Sequence, residues 1–423
     1  MRLTDGDDLE LPTRVFERTR VMEVPDRTVG HSGAAQHSGL RAVAGAVEEL
    51  GDVADGAVVI ADGAVVATGY LGTWTAMLAG LGASVTVHTV PGHEPTVESV
   101  DAAADAVRQK QPQVVVGVGG GSALDTAKMA AAVAAGPESV AHYALGAQPL
   151  PSGPPVVAVP TTAGTGAEVT RTCVLARADG QKVWTWGIEL LPRLVVLDPA
   201  ATATVPPVVT TATGLDALVH AMEAATGRRA NDDVVDLATT SIHLVTDHLA
   251  AAVTDGTNLD ARRAMQRAAF FAGLAIDGGG TGIAHSVGHA LASLAHVPHG
   301  LAVAAGLAAA LVWNVAGASP AYVAVAAALG VADVAYVSRR YEELLGAASF
   351  AEAVRRAGPI DVDVEALAAA MADDANQPML QNNCRLADEV DRLTLAAATV
   401  RIWNNPSVLG DRLTSGDRRG QNG

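Results

Sequence analysis

"VVVGVGGGSALDTAK", residues 114–128, joins a run of valines to three glycines and then to a helical pattern. A continuous valine run is typical of a parallel strand that is buried on both faces. Glycines after such a strand let a ligand approach the backbone closely, and the following helix presents N–H groups to an anion. The stretch therefore predicts a strand, a turn and a helix, with a phosphate site as one role. A plain strand-to-helix turn is the alternative, because the G-x-G-x-x-G dinucleotide pattern is absent here. The candidate cofactor-binding residues are Gly120, Gly121, Ser122 and Asp125.

The same alternation extends from about residue 57 to residue 200 and predicts βαβ units with a parallel sheet. Beyond residue 208 the pattern is almost entirely helical. We therefore predict an α/β domain over residues 1–203 and an all-α domain over residues 204–423. The predicted strands are AVVIADG (57–63), SVTVHTV (84–90), QVVVGVGGG (113–121), PVVAVPTT (155–162) and LVVLDP (194–199). The expected helix breaks are Gly227, 278–282, Pro298, 317–320 and Pro359.

Composition excludes several classes of protein. Of the 423 residues, 49% are hydrophobic and 17% are charged, which is typical of a globular enzyme. The net charge of −17 disfavours nucleic acid as a partner. Cys173 and Cys384 are far apart in sequence, so neither a disulfide framework nor a thiolate metal site is expected. The apolar run at 301–313 is shorter than the about 20 residues that span a membrane, and residues 1–14 lack a secretory signal. We predict a cytoplasmic protein with no membrane partner.

Two further stretches have the composition of a nucleotide site. In PTTAGTGAEVT (160–170) hydroxyls alternate with glycines, which suits a ribose, a phosphate or a nicotinamide amide. A loop stabilised by its own hydroxyl-to-backbone bonds is the alternative. Asp62 ends the first clear strand, where a carboxylate accepts hydrogen bonds from a ribose and repels a 2′-phosphate, which favours NAD over NADP. A helix N-cap is the alternative role for Asp62.

Spaced histidines in the second half of the chain suggest a metal site. Asp216 and His220 are four residues apart, as are His285 and His289, and this spacing puts each pair on one face of a helix. A lone pair of this kind is more often a surface pair. The joint presence of several such histidines in apolar sequence is a stronger signal, because buried imidazoles without partners are costly.

The next histidine extends the group. His299 follows Pro298 and is expected in the first turn of a new helix, whereas His296 is expected to be structural only. One carboxylate and three imidazoles suit Fe²⁺ or Zn²⁺ better than Mg²⁺ or Ca²⁺. The candidate ligands are Asp216, His220, His285 and His299.

Four motifs together resemble the group III, iron-containing alcohol dehydrogenase family: GGGSALDTAK, PTTAGTGAEVT, DALVHAMEA and HSVGHALASLAHVPHG. The resemblance extends in order from about residue 57 to 315, and more weakly to WNNPS (403–407). It implies a dehydroquinate synthase-like fold, with a Rossmann-like dinucleotide-binding α/β domain, a helical C-terminal domain and an active site in the cleft between them. A homodimer or larger homo-oligomer is the usual assembly of this family.

The resemblance also implies roles for individual residues. Gly120, Gly121 and Ser122 would hold the pyrophosphate, and the carboxylate of Asp62 would select NAD. His289 matches a histidine that is not a ligand, lies near the nicotinamide and shuttles protons. The residues that would line the nucleotide are Thr161, Thr162, Thr165, Thr170 and Lys182. The metal ligands would be Asp216, His220, His285 and His299.

The expected reaction is reversible hydride transfer between NAD(H) and a small alcohol or aldehyde, assisted by a metal that acts as a Lewis acid. The positions that match the substrate-pocket wall, Thr172, Ile276 and Thr281, form a more polar set than the usual aliphatic lining. With Arg171 nearby, they raise the hypothesis of a polar or anionic aldehyde. The sequence departs from the family in its first 56 residues and at Asp277, where asparagine is usual.

Three alternative functions are weaker. Maleylacetate reductases resemble this chain but typically lack the complete set of metal ligands. A lyase of the dehydroquinate synthase type needs a basic cluster for its phosphorylated substrate, and the chain has few lysines. A non-catalytic paralogue that binds only NAD or a metal would have no need of His289 beside an intact ligand set.

Overall fold

The computed structural model describes residues 19–24, 42–51, 53–178 and 180–409. The chain forms two compact units, unit 1 (Met1–Val205) and unit 2 (Pro206–Gly423). The N-terminal segment that bears on a secretory signal lies outside the described residues.

Unit 1 contains a six-stranded sheet in the order β1-β8-β5-β4-β2-β3, and every pair of neighbours in it is parallel. This sheet confirms the predicted α/β class. All five predicted strands are present, as β2, β3, β4, β5 and β8. The strands are β1 (Arg20–Glu23), β2 (Ala57–Asp62), β3 (Val85–Val90), β4 (Val114–Gly119), β5 (Val156–Pro160), β6 (Thr172–Ala176), β7 (Lys182–Trp186) and β8 (Leu194–Leu197).

Helices cover both faces of this sheet, as its unbroken valine runs require. Along β2, Val58 and Ile60 pack in one apolar cluster with Val100, while Val59 packs in a second cluster with Trp74. Burying one such side chain contributes roughly 1.5–3 kcal/mol, so both faces stabilise the sheet. The helices of unit 1 are α1 (42–48), α2 (Gly63–Thr68), α3 (Tyr70–Gly80), α4 (Val97–Lys110), α5 (Gly121–Val133) and α6 (Pro199–Thr202).

The sequence analysis did not predict three of the strands. Strand β1 pairs with β8 at the edge of the sheet, within the segment that matches the family weakly. Strands β6 and β7 form a separate antiparallel hairpin, joined through Gly180 at φ +82°. Each of the three is only four or five residues long, so no extended valine run in the sequence indicates it. The Asp-Gly pair at 179–180 in the sequence was the available signal for the hairpin.

Unit 2 is helical, and no strand is found between residues 206 and 409. Helices end or begin at the expected breaks, including Gly227, Gly280 and Pro298. The helices are α7 (Pro207–Thr226), α8 (Asp232–Thr254), α9 (Leu259–Gly279), α10 (Ile283–Ala295), α11 (His299–Ala318), α12 (Val323–Ala328), α13 (Val337–Ala347), α14 (Phe350–Ala357), α15 (Val364–Ala370), α16 (Gln377–Asn382) and α17 (Glu389–Asn404).

The length argument against a membrane span at 301–313 is wrong. The helical segment His299–Ala328 is long and apolar enough to cross a membrane, and it is the one such segment among the described residues. However, 61% of its apolar window is buried inside the protein. Packing of α11 against α10, α7 and α17 supports the interpretation of a core helix, which its length alone did not.

Helices α7 and α11 approach so closely that the position of Gly300 has no room for a side chain. A Cβ there would lie 2.1 Å from the backbone oxygen of Ala212. We expect Gly300→Ala to lower the free energy of unfolding by about 1–3 kcal/mol, because the helices must separate to admit the methyl group. Urea denaturation of the variant and the wild type measures this difference.

The matched control is Gly346→Ala on α13, where an added Cβ meets nothing within 4 Å. Alanine is the better helix former at such a site, so stability should stay constant or rise slightly. Equal unfolding curves for the two variants would contradict the close approach of α7 and α11.

Candidate active site

Three helices of unit 2 bring the predicted metal ligands together. Asp216 and His220 lie one turn apart on α7. His285 lies in the first turn of α10, and His299 is the first residue of α11. The ligand atoms of Asp216, His220 and His285 all lie within 4.8 Å of one another. Asp216 Oδ1 lies 3.9 Å from His220 Nε2, 3.6 Å from His285 Nε2 and 3.7 Å from His299 Nε2.

These separations fit a cation but are too long for direct hydrogen bonds. Tetrahedral metal–ligand bonds of about 2.1 Å place ligand atoms roughly 3.4 Å apart. Among the described residues, Asp216 Oδ1 and His285 Nε2 are buried atoms for which no hydrogen-bond partner is found. Buried polar atoms without partners are rare and call for a missing ligand or water. The donor set of oxygen and imidazole nitrogen is the one expected for Fe²⁺ or Zn²⁺.

Access to the group is on the side of His299. The side chain of His299 is 31% exposed, whereas those of Asp216 and His285 are each 3% exposed. Metal sites that act on substrates keep one position open, while structural sites are closed by protein ligands. The unequal exposure makes His299 the member of the group that solvent or a small molecule reaches first.

The carboxylates and imidazoles of the group each stabilise the charged form of the other. Burial alone would lower the pKa of His285, but the carboxylates of Glu223 and Asp216 raise it to about 9. Burial would raise the pKa of Asp216, yet the neighbouring imidazoles, first that of His220, hold it well below its usual range. The carboxylate is thus ionised and available as a ligand at neutral pH.

Glu223 belongs to this group, although no role was predicted for it. It lies on α7 three residues after His220, and its Oε2 is 2.6 Å from His285 Nδ1. Its Oε1 accepts a 2.6 Å hydrogen bond from the backbone N–H of Ala284. Spacing i,i+3 from a candidate ligand was the available signal, since such residues share a helix face.

The other two histidines of the 285–299 segment are placed differently. His289 is half-buried, and its ring centroid lies 5.1 Å from that of His299 and 6.1 Å from that of His285. It is close to the group without belonging to the cluster of ligand atoms. His296 is exposed and ends α10 with φ 53°.

In unit 1 the predicted cofactor residues meet at the carboxyl edge of the sheet. Asp62 ends β2, Gly120 directly follows β4, and Thr162 is the second residue after β5, and these three strands are adjacent. The strand order reverses beside β2, and ligands of such sheets bind at this switch point. Asp62 is the N-cap of α2, since its Oδ1 accepts the N–H of Val65, and its Oδ2 accepts a 3.4 Å hydrogen bond from the N–H of Gly120. Its role toward a ribose stays a prediction.

The two glycine-containing motifs are packed against each other. A Cβ on Gly121 would lie 2.7 Å from Thr165 Cγ2, and one on Gly120 would lie 3.3 Å from Thr162 Oγ1. Glycine at 121 therefore permits the close approach of the neighbouring loop, because a side chain there would collide with Thr165. Gly120 also caps α5 without a side chain to occupy the first N–H groups of that helix.

Several predicted cofactor residues make contacts within the protein. Asp125 accepts a hydrogen bond from Val174 N and lies 3.4 Å from Lys128 Nζ. Thr170 Oγ1 donates to the backbone oxygen of Thr172. Lys182 forms a 2.9 Å ion pair with Glu94. Of the remaining predicted residues, Ser122 and Thr165 are half-buried, and Thr161 is buried with its N–H bonded to Gly119 O.

Comparison with known families, sequences and structures finds similarity to alcohol dehydrogenases in each case. Residues 38–199 match the family described as iron-containing alcohol dehydrogenase, and residues 210–398 match the C-terminal part of the Fe-containing alcohol dehydrogenase family. The probable alcohol dehydrogenase EutG of Salmonella typhimurium is 34% identical over 302 residues, which cover 69% of this chain and 75% of that protein. Long-chain-alcohol dehydrogenase 1 of Geobacillus thermodenitrificans is 39% identical over 246 residues, or 57% of this chain and 62% of that protein. The iron-containing alcohol dehydrogenase structure from Thermococcus thioreducens has a TM-score of 0.78 at 25% identity, covering 91% of this chain and 98% of the other.

Glu168, in the second glycine-containing motif, provides a pH-dependent test of this region. It is 3% exposed, and burial raises its pKa to about 7, against the opposing effect of Lys128. Between pH 4.5 and 7 the folded state retains this proton and the unfolded state does not. We expect the stability that Glu168 contributes to be complete below pH 4.5 and to fall as pH rises toward 7. The fall is at most about 1.4 kcal/mol per pH unit.

Urea denaturation of the wild type and Glu168→Gln across this pH range measures the effect as the difference between their profiles. Glu48→Gln, an exposed position on α1, is the control for loss of a carboxylate at the surface. Parallel profiles for the wild type and Glu168→Gln would show that the Glu168 carboxyl titrates as it does in the unfolded chain.

Proposed function

The chain belongs to the iron-containing alcohol dehydrogenase family, and from this premise we propose that unit 2 holds a divalent cation and unit 1 binds NAD. As a member of this family the chain is an oxidoreductase that acts on CH–OH donors. We propose hydride transfer between NAD(H) and a small alcohol or aldehyde, with NADP the less favoured cofactor. The proposed ligands are Asp216, His220, His285 and His299.

One observation carries the metal proposal. Asp216 Oδ1 and His285 Nε2 are buried 3.6 Å apart without a hydrogen-bond partner among the described residues. Two more Nε2 atoms lie within 3.9 Å of the same carboxylate oxygen. A bound Fe²⁺ or Zn²⁺ would supply a Lewis acid that polarises the substrate C–O bond.

The protein's own side chains have separate tasks in this proposal. His289, half-buried beside His299, moves the proton of the substrate hydroxyl through its imidazole toward solvent. The Asp62 carboxylate binds the adenosine ribose, and the glycines after β4 let the pyrophosphate approach the start of α5. The hydride itself moves between the substrate carbon and nicotinamide C4, which is chemistry of the cofactor.

Finer features of the function are also proposals. Arg171, whose guanidinium lies 5.3 Å from the Trp186 ring centroid, is the cation we propose to favour a polar or anionic aldehyde. We further propose a cytoplasmic location and a homodimer or larger homo-oligomer. Metal analysis together with a panel of aldehydes, followed through NADH absorbance, tests the central proposal.

Substitution of two histidines separates metal binding from proton transfer. We expect His285→Ala to lose both the metal and activity, because it removes a ligand. His289→Ala should keep the metal and lose about 10²–10⁴-fold in rate, which is typical of a lost acid–base group. Metal content and steady-state rates measure the two effects.

His296→Asn is the control for a substitution in the same segment, because His296 is exposed and asparagine tolerates its positive φ. It should leave both readouts unchanged. Full activity in a preparation stripped of metal would refute the proposed Lewis acid.

The cofactor preference rests on the charge of Asp62. We expect Asp62→Ser to improve kcat/KM with NADPH by tenfold or more, because the repulsion of a 2′-phosphate by a carboxylate costs about 1.4 kcal/mol or more. The serine hydroxyl retains the ability to cap α2. Steady-state kinetics with both cofactors measure the change, and an unaltered NADPH/NADH ratio would remove Asp62 from cofactor selection.

A further inference from the structure

We propose that Glu223 is a positioning residue that fixes the ring and the tautomer of His285, so that His285 Nε2 faces Asp216 without a proton of its own when metal binds. The inference rests on the proposed metal site and concerns a residue to which no role was assigned. Its basis is the pair of short contacts that the Glu223 carboxylate makes at the start of α10.

The first contact determines which imidazole nitrogen carries the proton. His285 Nδ1 lies 2.6 Å from Glu223 Oε2, and because a carboxylate accepts hydrogen bonds we assign the imidazole proton to Nδ1. In the neutral ring the opposite nitrogen, Nε2, then has a free lone pair. That atom lies 3.6 Å from Asp216 Oδ1, at the spacing of two ligands of one ion.

The second contact fixes the carboxylate itself. Glu223 Oε1 accepts the N–H of Ala284 at 2.6 Å, and the Glu223 side chain is 4% exposed. The positive end of the α10 dipole also favours a negative charge at this place. Both oxygens are therefore engaged, and the imidazole is held in one orientation.

The absence of a side chain at Gly282 leaves space for this carboxylate at the start of α10. A Cβ on Gly282 would lie 3.0 Å from Glu223 Oε1 and 2.9 Å from Asn383 Oδ1. Asn383 Oδ1 accepts the N–H of Ile283, so it caps the same helix end beside Glu223. The side chains of Glu223 and Asn383 thus both hold the start of α10, and of these two Glu223 is the one that hydrogen-bonds the His285 ring.

Helix α7 therefore contributes both to binding the metal and to orienting a ligand on another helix. Asp216, His220 and Glu223 all lie on α7, so one helix carries two proposed ligands and the residue that orients His285 on α10. Carboxylates that accept the second N–H of a ligating histidine typically change metal affinity by about 10–100-fold when they are lost.

The test replaces one carboxylate oxygen by an amide nitrogen. In Glu223→Gln the amide oxygen still accepts the N–H of Ala284, and the amide NH₂ then faces His285 Nδ1. Two donors cannot pair, so the ring must take the other tautomer, with its proton on Nε2. We expect Zn²⁺ affinity to fall by about 10–100-fold, measured by competition with a chromophoric chelator. The visible spectrum of the Co²⁺-loaded variant should also change.

Two controls separate positioning from general destabilisation. Ser286→Ala removes a buried 2.9 Å hydrogen bond from α10 to Met371 O without touching the imidazole, so it should lower the unfolding midpoint and leave Zn²⁺ affinity unchanged. Glu352→Gln removes an exposed carboxylate elsewhere in unit 2 and should change neither quantity. Equal loss of Zn²⁺ affinity in Ser286→Ala and Glu223→Gln would overturn the inference.

A measurement on the wild type keeps the inference testable if Glu223→Gln does not fold. In Zn²⁺-loaded protein with ¹⁵N-labelled histidine, the His285 ring, assigned by its loss in His285→Gln, should carry its proton on Nδ1. A proton on Nε2, or wild-type Zn²⁺ affinity in Glu223→Gln, would overturn the inference and leave the proposed function intact. If the wild type binds no Zn²⁺ and no Fe²⁺, the proposed function fails and the inference fails with it.

Discussion

A buried carboxylate, that of Asp216, imposes the main constraint on unit 2. An isolated charge in such a place costs several kcal/mol, so the fold must surround it with groups that stabilise the ionised form. Three imidazole Nε2 atoms lie 3.6–3.9 Å away and perform this task, and they come from three helices. The packing of α7, α10 and α11 is what brings those rings to one oxygen.

Close packing is how the fold satisfies this constraint. Gly300 lets α11 approach the backbone of α7, and Gly288 lets α10 approach Val303 of α11, where a Cβ would lie 2.3 Å from Val303 Cγ1. In unit 1, Gly120 and Gly121 admit Thr162 and Thr165 in the same way. In both units, glycines lie where two helices or loops that carry candidate site residues pack so closely that a side chain would collide.

Much of the fold follows from local sequence. Valine runs predicted five strands of the parallel sheet, and glycine or proline punctuation predicted the main helix breaks of unit 2. The hairpin β6–β7 and strand β1 were missed because they are short and lack such runs. The core helix predicted at 301–313 is supported, but the length argument for it failed because length and hydropathy do not distinguish a core helix from a spanning one. Only burial against α7, α10 and α17 makes that distinction.

The amino-acid sequence by itself determined which side chains of α7 the candidate site contains. Spacing i,i+4 and i,i+3 along one helix places Asp216, His220 and Glu223 on a common face, because helix geometry is local. Tertiary structure decided which nitrogen of His285 is bonded, and to what, since that depends on how α10 starts against α7. It also decided that Asp125 bonds within unit 1 to Val174. Such contacts join residues 49 or more positions apart, and their distances and directions depend on packing, which no local pattern encodes.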